Sequence, residues 1–463
     1  MATRKAGSFR DPSGHVYEAD GRIFRTVTTR AVDEYRFARD SGVLRSLSDR
    51  GILIPSQEVS LEEAGVADIP DVALAVEHPR IPFISYPYEW PFPALKAAAL
   101  LHLDLNIELM AHGMTLSDAT AFNIQFRGSK PVFIDLLSLR QYRAGEYWAG
   151  YRQFCDQFLN PLLLRALTGI THNAWYRGSP EGIAASDIAR VLPWRKKLSP
   201  RVFTHVGLQS KLQSVNVSQD KARAMRGGSL SKTAYLGILH QLRGWIAGMK
   251  PAGSRETVWQ DYVNTHSYSD DEQSAKREFI GEFVQTAQPA QLWDFGCNTG
   301  EFSEVALGAG AGSVIGFDFD QGALDAAFAR SRDRNLDFLP LFQDATNPSP
   351  DQGWRQGERD GLAGRRNADA ILALALVHHL AIGKNIPLPD VVDWLVDMAP
   401  KGVIEFVPKE DPMIQRMLML REDIFDGYNY ELFSSHLRAR TTIAREKQVS
   451  QSGRILVWYE RRS

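Results

Sequence analysis

Cysteine is almost missing from this 463-residue chain, which has only Cys155 and Cys297. Two thiols cannot build a disulfide framework or a cysteine-rich zinc site, so a reducing cytoplasm is the expected compartment. An excess of either charge is missing too. Lys and Arg number 53 against 55 Asp and Glu, a formal net charge of −2, which gives no overall electrostatic footprint for nucleic acid. No apolar run reaches the roughly eighteen residues that a membrane-spanning helix needs. The first residues, MATRKAGSFRDPSG, lack the apolar core of a secretory signal. The expectation is a cytoplasmic protein that engages neither a membrane nor nucleic acid. What the chain does have is 44% hydrophobic residues, enough to support real cores, and a length that fits two or three domains.

The most informative stretch is QLWDFGCNTGEFSEVALGA, residues Gln291 to Ala309. Leu292, Trp293 and Phe295 have strand chemistry, Gly296 and Gly300 flank a tight turn, and Phe302, Val305 and Ala306 recur at helical spacing. The free N–H groups of the new helix point back into the turn, which makes it an anion site. A dinucleotide loop wants three glycines and a bare backbone. Here Asn298 stands at the middle position, and Asp294 aims a carboxylate into the loop, where it repels a diphosphate and attracts an ammonium group. A ligand carrying both a carboxylate and an ammonium suits both features, as the amino-acid end of S-adenosylmethionine does. The next apolar run, Ser313 to Phe317, ends in Asp318, placed to accept from two ribose hydroxyls. A third, Phe338 to Phe342, ends in Gln343-Asp344-Ala345, where Asp344 can take an adenine amine. Pro340 cannot donate to a ladder, so that strand should be short or lie at a sheet edge.

The ordered set Asp294-x-Gly296-x-Asn298-x-Gly300, Asp318 and Asp344 resembles the successive motifs of class I S-adenosylmethionine-dependent methyltransferases. The resemblance covers about the last two hundred residues. It implies an α/β domain with a Rossmann-like seven-stranded sheet over residues 256–463, S-adenosylmethionine as cofactor, and Asp294, Gly296, Asn298, Gly300, Asp318, Asp344 and Ala345 as cofactor contacts. It also implies a lid in the helical stretch Thr257 to Phe283, from which Tyr268 and Lys276 would reach the cofactor or acceptor. The fourth strand, Asp369 to Leu376, delivers Val377-His378-His379-Leu380 beside the transferable methyl. Methyl transfer needs alignment and, for a hydroxyl or amine acceptor, removal of one proton, work suited to histidine. Only one of His378 and His379 can face the acceptor, and His379 is preferred. Glu405, a carboxylate inside an apolar strand, needs a partner and is a third candidate for the acceptor side. The acceptor itself, a small molecule, glycan or protein group, is not legible.

In the N-terminal part, Arg22 to Thr29, Val72 to Val76 and Ile81 to Tyr86 are expected to be strands, and Val32 to Leu47 and Leu95 to His112 helices. The run YPYEWPFP, Tyr86 to Pro93, has too many prolines for a helix interior. Farther on, Asp118 and Asn123 are spaced like the catalytic loop of kinases, and Asp135 closes a short strand one hairpin later. Residues 10 to 190 thus resemble a kinase-like α+β domain, which implies ATP and Mg²⁺ held by Asp118, Asn123 and Asp135. The chain departs from that pattern in having Leu116-Ser117 before the aspartate and no glycine-rich phosphate loop. It also has no Val-Ala-x-Lys strand, leaving Arg25 as the only basic candidate. The alternative is that Asp118 and Asn123 cap turns and Asp135 ends a strand. The cluster Arg195-Lys196-Lys197 is expected to be a solvated helix end, and the polar stretch from Ser199 to Ser231 an exposed linker. The domain boundaries expected are 1–198, a linker with a connecting helix over 199–255, and 256–463. A kinase-like front with a methyltransferase rear, together with Glu405-Phe-Val-Pro-Lys-Glu-Asp411, resembles the nodulation-associated methyltransferases of the NoeA type.

Overall fold

In the computed structural model, which describes residues 2–210, 229–253, 270–419 and 421–462, the chain divides into two units. One comprises Met1–Phe126, Lys130–Gly253 and Asp351–Arg359, the other Arg127–Ser129, Ser254–Pro350 and Asp360–Ser463.

The first unit opens with a five-stranded antiparallel sheet. Its strands are β1 (Thr3–Arg4), β2 (Val16–Ala19), β3 (Arg22–Thr28), β4 (Gln57–Val59) and β5 (Val72–His78), in the order β1-β2-β3-β5-β4. Tyr17, Phe24 and Ala75 point from it into a small core with Ala64 and Val66. The helix expected over Val32 to Leu47 is two, Val32–Asp40 and Val43–Asp49, separated at Gly42, whose φ of +77° an L side chain rarely adopts. Ile81 to Tyr86 is not a strand. Pro82 has no N–H to give a ladder, and the Gln125 side chain does a strand's work instead, accepting from Ser85 N at 2.9 Å and donating to Ser85 O at 2.9 Å. Helix Phe92–Ala111 follows, then two small sheets, β6 (Met114–Leu116) with β9 (Leu139–Gln141), and β7 (Ile124–Arg127) with β8 (Lys130–Phe133).

The expected connecting helix is part of this unit. Helix Lys232–Ala247 buries Tyr235, Leu239, Leu242 and Ile246. The Tyr235 hydroxyl lies 2.9 Å from Thr115 Oγ1, and Arg243 Nε donates to Asp104 at 2.7 Å. Four apolar residues at helical spacing need a surface to cover, and helix Phe92–Ala111 with its following strand supplies it.

The second unit is a seven-stranded sheet flanked by helices. In chain order the strands are β10 (Gln291–Phe295), β11 (Ser313–Asp318), β12 (Phe338–Phe342), β13 (Ala370–Ala373), β14 (Lys401–Phe406), β15 (Thr441–Gln448) and β16 (Ile455–Arg461), arranged β12-β11-β10-β13-β14-β16-β15. The first five are parallel, and β16 pairs antiparallel with both neighbours. This is the α/β arrangement that the methyltransferase resemblance implies. Strands β10 and β11 are buried along their whole length, which is why they read as unbroken apolar runs rather than alternating ones. β12 lies at the edge, with Pro340 opposite Gly316.

Two glycines make the centre of the sheet possible. A Cβ on Gly300 would stand 2.3 Å from the Phe338 ring, and one on Gly316 2.6 Å from that ring and 2.7 Å from Cys297 Sγ. Phe338 of the edge strand thereby reaches beneath the loop after β10 and fixes its height.

Polar links cross the core at the other end of the sheet. The Arg454 guanidinium, 2% exposed, grips Asp411 through Nε at 2.6 Å and Nη2 at 2.9 Å, with Glu405 Oε1 3.8 Å away. Asp411 also accepts from Ser452 Oγ at 2.7 Å and caps helix Pro412–Leu418 through Met413 N at 3.0 Å. Replacing Asp411 by Ala leaves a buried guanidinium short of a charge and removes a helix cap. We expect this variant to lose about 3–5 kcal/mol of stability, read as a lower urea midpoint with S-adenosylmethionine absent.

Candidate active site

The C-terminal ends of β10, β11, β12 and β13 open on one cavity of about 940 Å³ within the second unit. Its floor is the loop after β10. Gly296 and Gly300 have φ of +77° and +79°, and Asn298 between them has φ of +51°, a left-handed conformation that asparagine tolerates better than most side chains. That turn points the Asn298 N–H at Asp318 Oδ2, 2.9 Å away. Helix Glu301–Gly308 starts directly behind Gly300 with no side chain capping it, so its first N–H groups face the cavity.

Three carboxylates follow around the rim. Asp294, 2% exposed, accepts from Ser303 Oγ at 2.6 Å. Burial, and then the neighbouring Asp318, push its carboxyl up to about 7. Asp318 accepts at its other oxygen from Asp320 N at 2.9 Å, and burial lifts it to about 6 against these backbone donors. Asp344 is half-buried and closes a turn on Thr346, accepting from its N–H at 2.9 Å and its hydroxyl at 2.7 Å. Ala345 lines the cavity beside it. Phe319, 66% exposed, also lines it; it was not singled out in the sequence, although its place directly after the Asp318 carboxylate at a strand end was a legible signal.

The fourth strand ends earlier than its composition suggests. Ala375 turns left-handed, φ +49°, and its N–H donates to Glu405 Oε2 at 3.0 Å. The chain then coils into Val377–Ala381. This turn separates the two histidines: His379 lines the cavity, whereas His378 is fully buried and does not. Their rings lie 4.2 Å apart. Burial lowers His379 from its ordinary value and drives His378 well below it, the latter helped by His379 and Lys276.

Glu405 lines the cavity with both oxygens committed. Lys276 Nζ is 2.7 Å from Oε1 and 2.8 Å from Oε2, and Ala375 N–H binds the latter. Lys276, on helix Asp270–Ala287, is thus at the cavity but paired. Tyr268 lies outside the described residues.

In the first unit the structure brings Asp118, Asn123 and Asp135 together. Asn123 Nδ2 donates to Asp118 at 3.1 Å. Asp135 accepts from Leu137 N at 3.2 Å and faces Arg25 at 2.7 Å, and Arg25 also pairs with Asp11. Burial and the Asp135 charge push Asp118 up to about 7. Asp135 caps the turn Leu136–Ser138, whereas Asp118 and Asn123 bond to each other, and the cation beside Asp135 is a guanidinium. Among the described residues no group of three His, Cys, Asp or Glu is placed to hold a metal ion.

No family model matches the chain. It is 48% identical over 462 residues to the nodulation protein NoeA of Rhizobium meliloti (strain 1021), covering 99% of this chain and 96% of that one. Among solved structures, the N-methyltransferase NodS from Bradyrhizobium japonicum WM9, in complex with S-adenosyl-L-homocysteine, is 13% identical over 45% of this chain and 100% of its own, with a TM-score of 0.31. The PH0226 protein of Pyrococcus horikoshii OT3 is 15% identical over 44% and 99%, with a TM-score of 0.32. Likenesses this slight do not bear on the site.

The Asp294 carboxyl sets a pH dependence. Its folded value near 7 lies above the ordinary 3.8, so the stability this group contributes is complete below pH 3.8 and is lost as pH rises through 7. Asp294→Asn has no such loss. Between pH 4 and pH 8 the variant should gain roughly 2–4 kcal/mol on the parent chain, checked by chemical denaturation at each pH without cofactor.

Proposed function

The chain belongs to the family of the nodulation protein NoeA, and from that membership and the cavity together we propose that it is an S-adenosylmethionine-dependent methyltransferase. The observation that carries this reading is Asp294. A carboxyl buried to 2% exposure, lifted to about 7 and partnered by a hydroxyl at the head of a 940 Å³ cavity, is a place built for a cation to enter.

The residues present fit the cofactor. Asp294 would meet its ammonium, the N-terminus of helix Glu301–Gly308 its carboxylate, Asp318 its ribose and Asp344 its purine, with Phe319 beside them. The bound cofactor supplies an activated methyl group on a sulfonium. What remains for the protein is to align an acceptor with that carbon and take a proton from an oxygen or nitrogen nucleophile. His379 suits the proton transfer, because it lines the cavity and burial keeps its imidazole neutral near pH 7. We assign Glu405 a positioning role instead, because its oxygens are spent on Lys276 and on the strained Ala375 turn that carries the histidines. The acceptor is a small molecule, a glycan or a protein group.

For the first unit we propose a structural role for Asp118, Asn123 and Asp135 in place of ATP and Mg²⁺ binding, since Arg25 already answers the charge of Asp135.

Two variants separate binding from chemistry. Asp318→Ala should weaken S-adenosylmethionine binding by about 1–3 kcal/mol, measured by calorimetric titration; unchanged affinity counts against the ribose assignment. His379→Ala should leave that affinity intact and lower the turnover number by about 10²–10⁴-fold, measured by transfer of labelled methyl. Equal rates in both proteins would remove histidine as the base, and tight binding without transfer to any acceptor would favour a non-catalytic cofactor-binding scaffold.

A further inference from the structure

The stretch 194–210 of the first unit carries a surface with no part in the chemistry proposed for the second. Its inward side is already occupied. Val202, His205, Val206 and Gln209 are buried, His205 Nδ1 lies 2.7 Å from the Tyr151 hydroxyl, and its ring packs against Trp245. This helical run has therefore met its need for a core face. It nevertheless shows a second apolar set to water: Trp194 at 66% exposure, Leu198 at 72%, Phe203 at 57% and Leu208 at 47%. Trp194 and Leu198 are spaced i,i+4, so they share one side of their turn.

Between these residues stand Arg195, Lys196, Lys197 and Arg201, all exposed, with no acidic residue from 194 to 210. Arg195 rests over the Trp194 ring, and among the described residues no carboxylate is within ion-pair distance of any of the four. In a chain of formal charge −2 this is a local concentration of free positive charge around exposed hydrocarbon. A solvated helix end accounts for the charges alone. Four large apolar side chains kept in water among them need a partner that is anionic at its surface and apolar just beneath.

We propose that this face docks on an anionic lipid bilayer, with the basic side chains at the headgroups and Trp194, Leu198, Phe203 and Leu208 entering the acyl boundary. Single-stranded RNA would answer the charges and stack on the aromatic rings, but it offers nothing to Leu198 and Leu208. No described helix is long and apolar enough to cross a membrane, so the contact is peripheral.

The test uses the full chain and vesicles of phosphatidylcholine with or without phosphatidylglycerol, read by co-sedimentation, with a fluorescent single-stranded RNA in parallel. The chain should sediment with the anionic vesicles only, and release with salt. R195E/K196E/K197E should lower partitioning by roughly a hundredfold or more, and W194A/L198A/F203A should lower it while keeping every charge. Circular dichroism identical to that of the parent confirms that both variants fold, and cofactor affinity, measured separately, does not enter the result. Absence of the parent chain from anionic vesicles, sedimentation unaffected by either variant, or binding of the RNA instead of the vesicles would overturn the proposal.

Discussion

Four charged side chains buried in the second unit decide the shape of its cavity. Lys276 comes from a helix, Glu405 from β14, Asp411 from a helix cap and Arg454 from the hairpin before β16, and together they form a chain of three ion pairs with almost no access to water. Charges this deep are tolerable only when each is answered. The requirement therefore locks a helix, a strand, a loop and a hairpin at fixed distances. Glu405 passes that rigidity to the cavity wall. Its hydrogen bond to Ala375 N holds a non-glycine residue in a left-handed turn, a conformation that persists only where surroundings over-determine it, and the turn sends one histidine toward the ligand and the other into the core.

The opposite side of the cavity is fixed by vacancy rather than charge. Gly300 and Gly316 lack the carbon that would collide with Phe338, and the ring fills the space both leave. The loop is thus set by packing on one flank and by the Asn298 to Asp318 hydrogen bond on the other. Such a floor is preformed, so little ordering is left for a ligand to induce.

How much of this was legible in the sequence followed from how local each cause is. The strand, turn and helix around Gly296 and Gly300 were legible because glycine in a tight turn and apolar spacing act within a few residues, and Pro340 limited β12 to a short strand or an edge, of which the structure shows the edge. Where the cause lay far along the chain, legibility failed. Glu405 plainly needed a partner, but Lys276 lies 129 positions away and no local pattern joins them. Composition made Ser199 to Ser231 an exposed linker, although Val202, His205 and Val206 are buried, and it gave the helix that follows without the distant surface that Tyr235 and Leu239 cover. Ile81 to Tyr86 has the β-branched and aromatic content of a strand; Pro82 and the distant Gln125 decided otherwise. In the first unit the spacing of Asp118, Asn123 and Asp135 was readable and Arg25 stood out as the basic candidate, whereas its pairing with Asp135, far along the chain, was not.

The two rims of the seven-stranded sheet share a trait with consequences beyond the single molecule. At one, Pro340 withholds a donor from β12; at the other, β15 carries Arg445, Glu446 and Lys447 and loses register between Ile443 and Arg445. Neither offers a clean template for a neighbour's backbone. A sheet whose interior strands are apolar enough to seed cross-β stacking is in this way made poor at recruiting copies of itself, and the concentrated protein should resist fibre growth for as long as those rims stay folded.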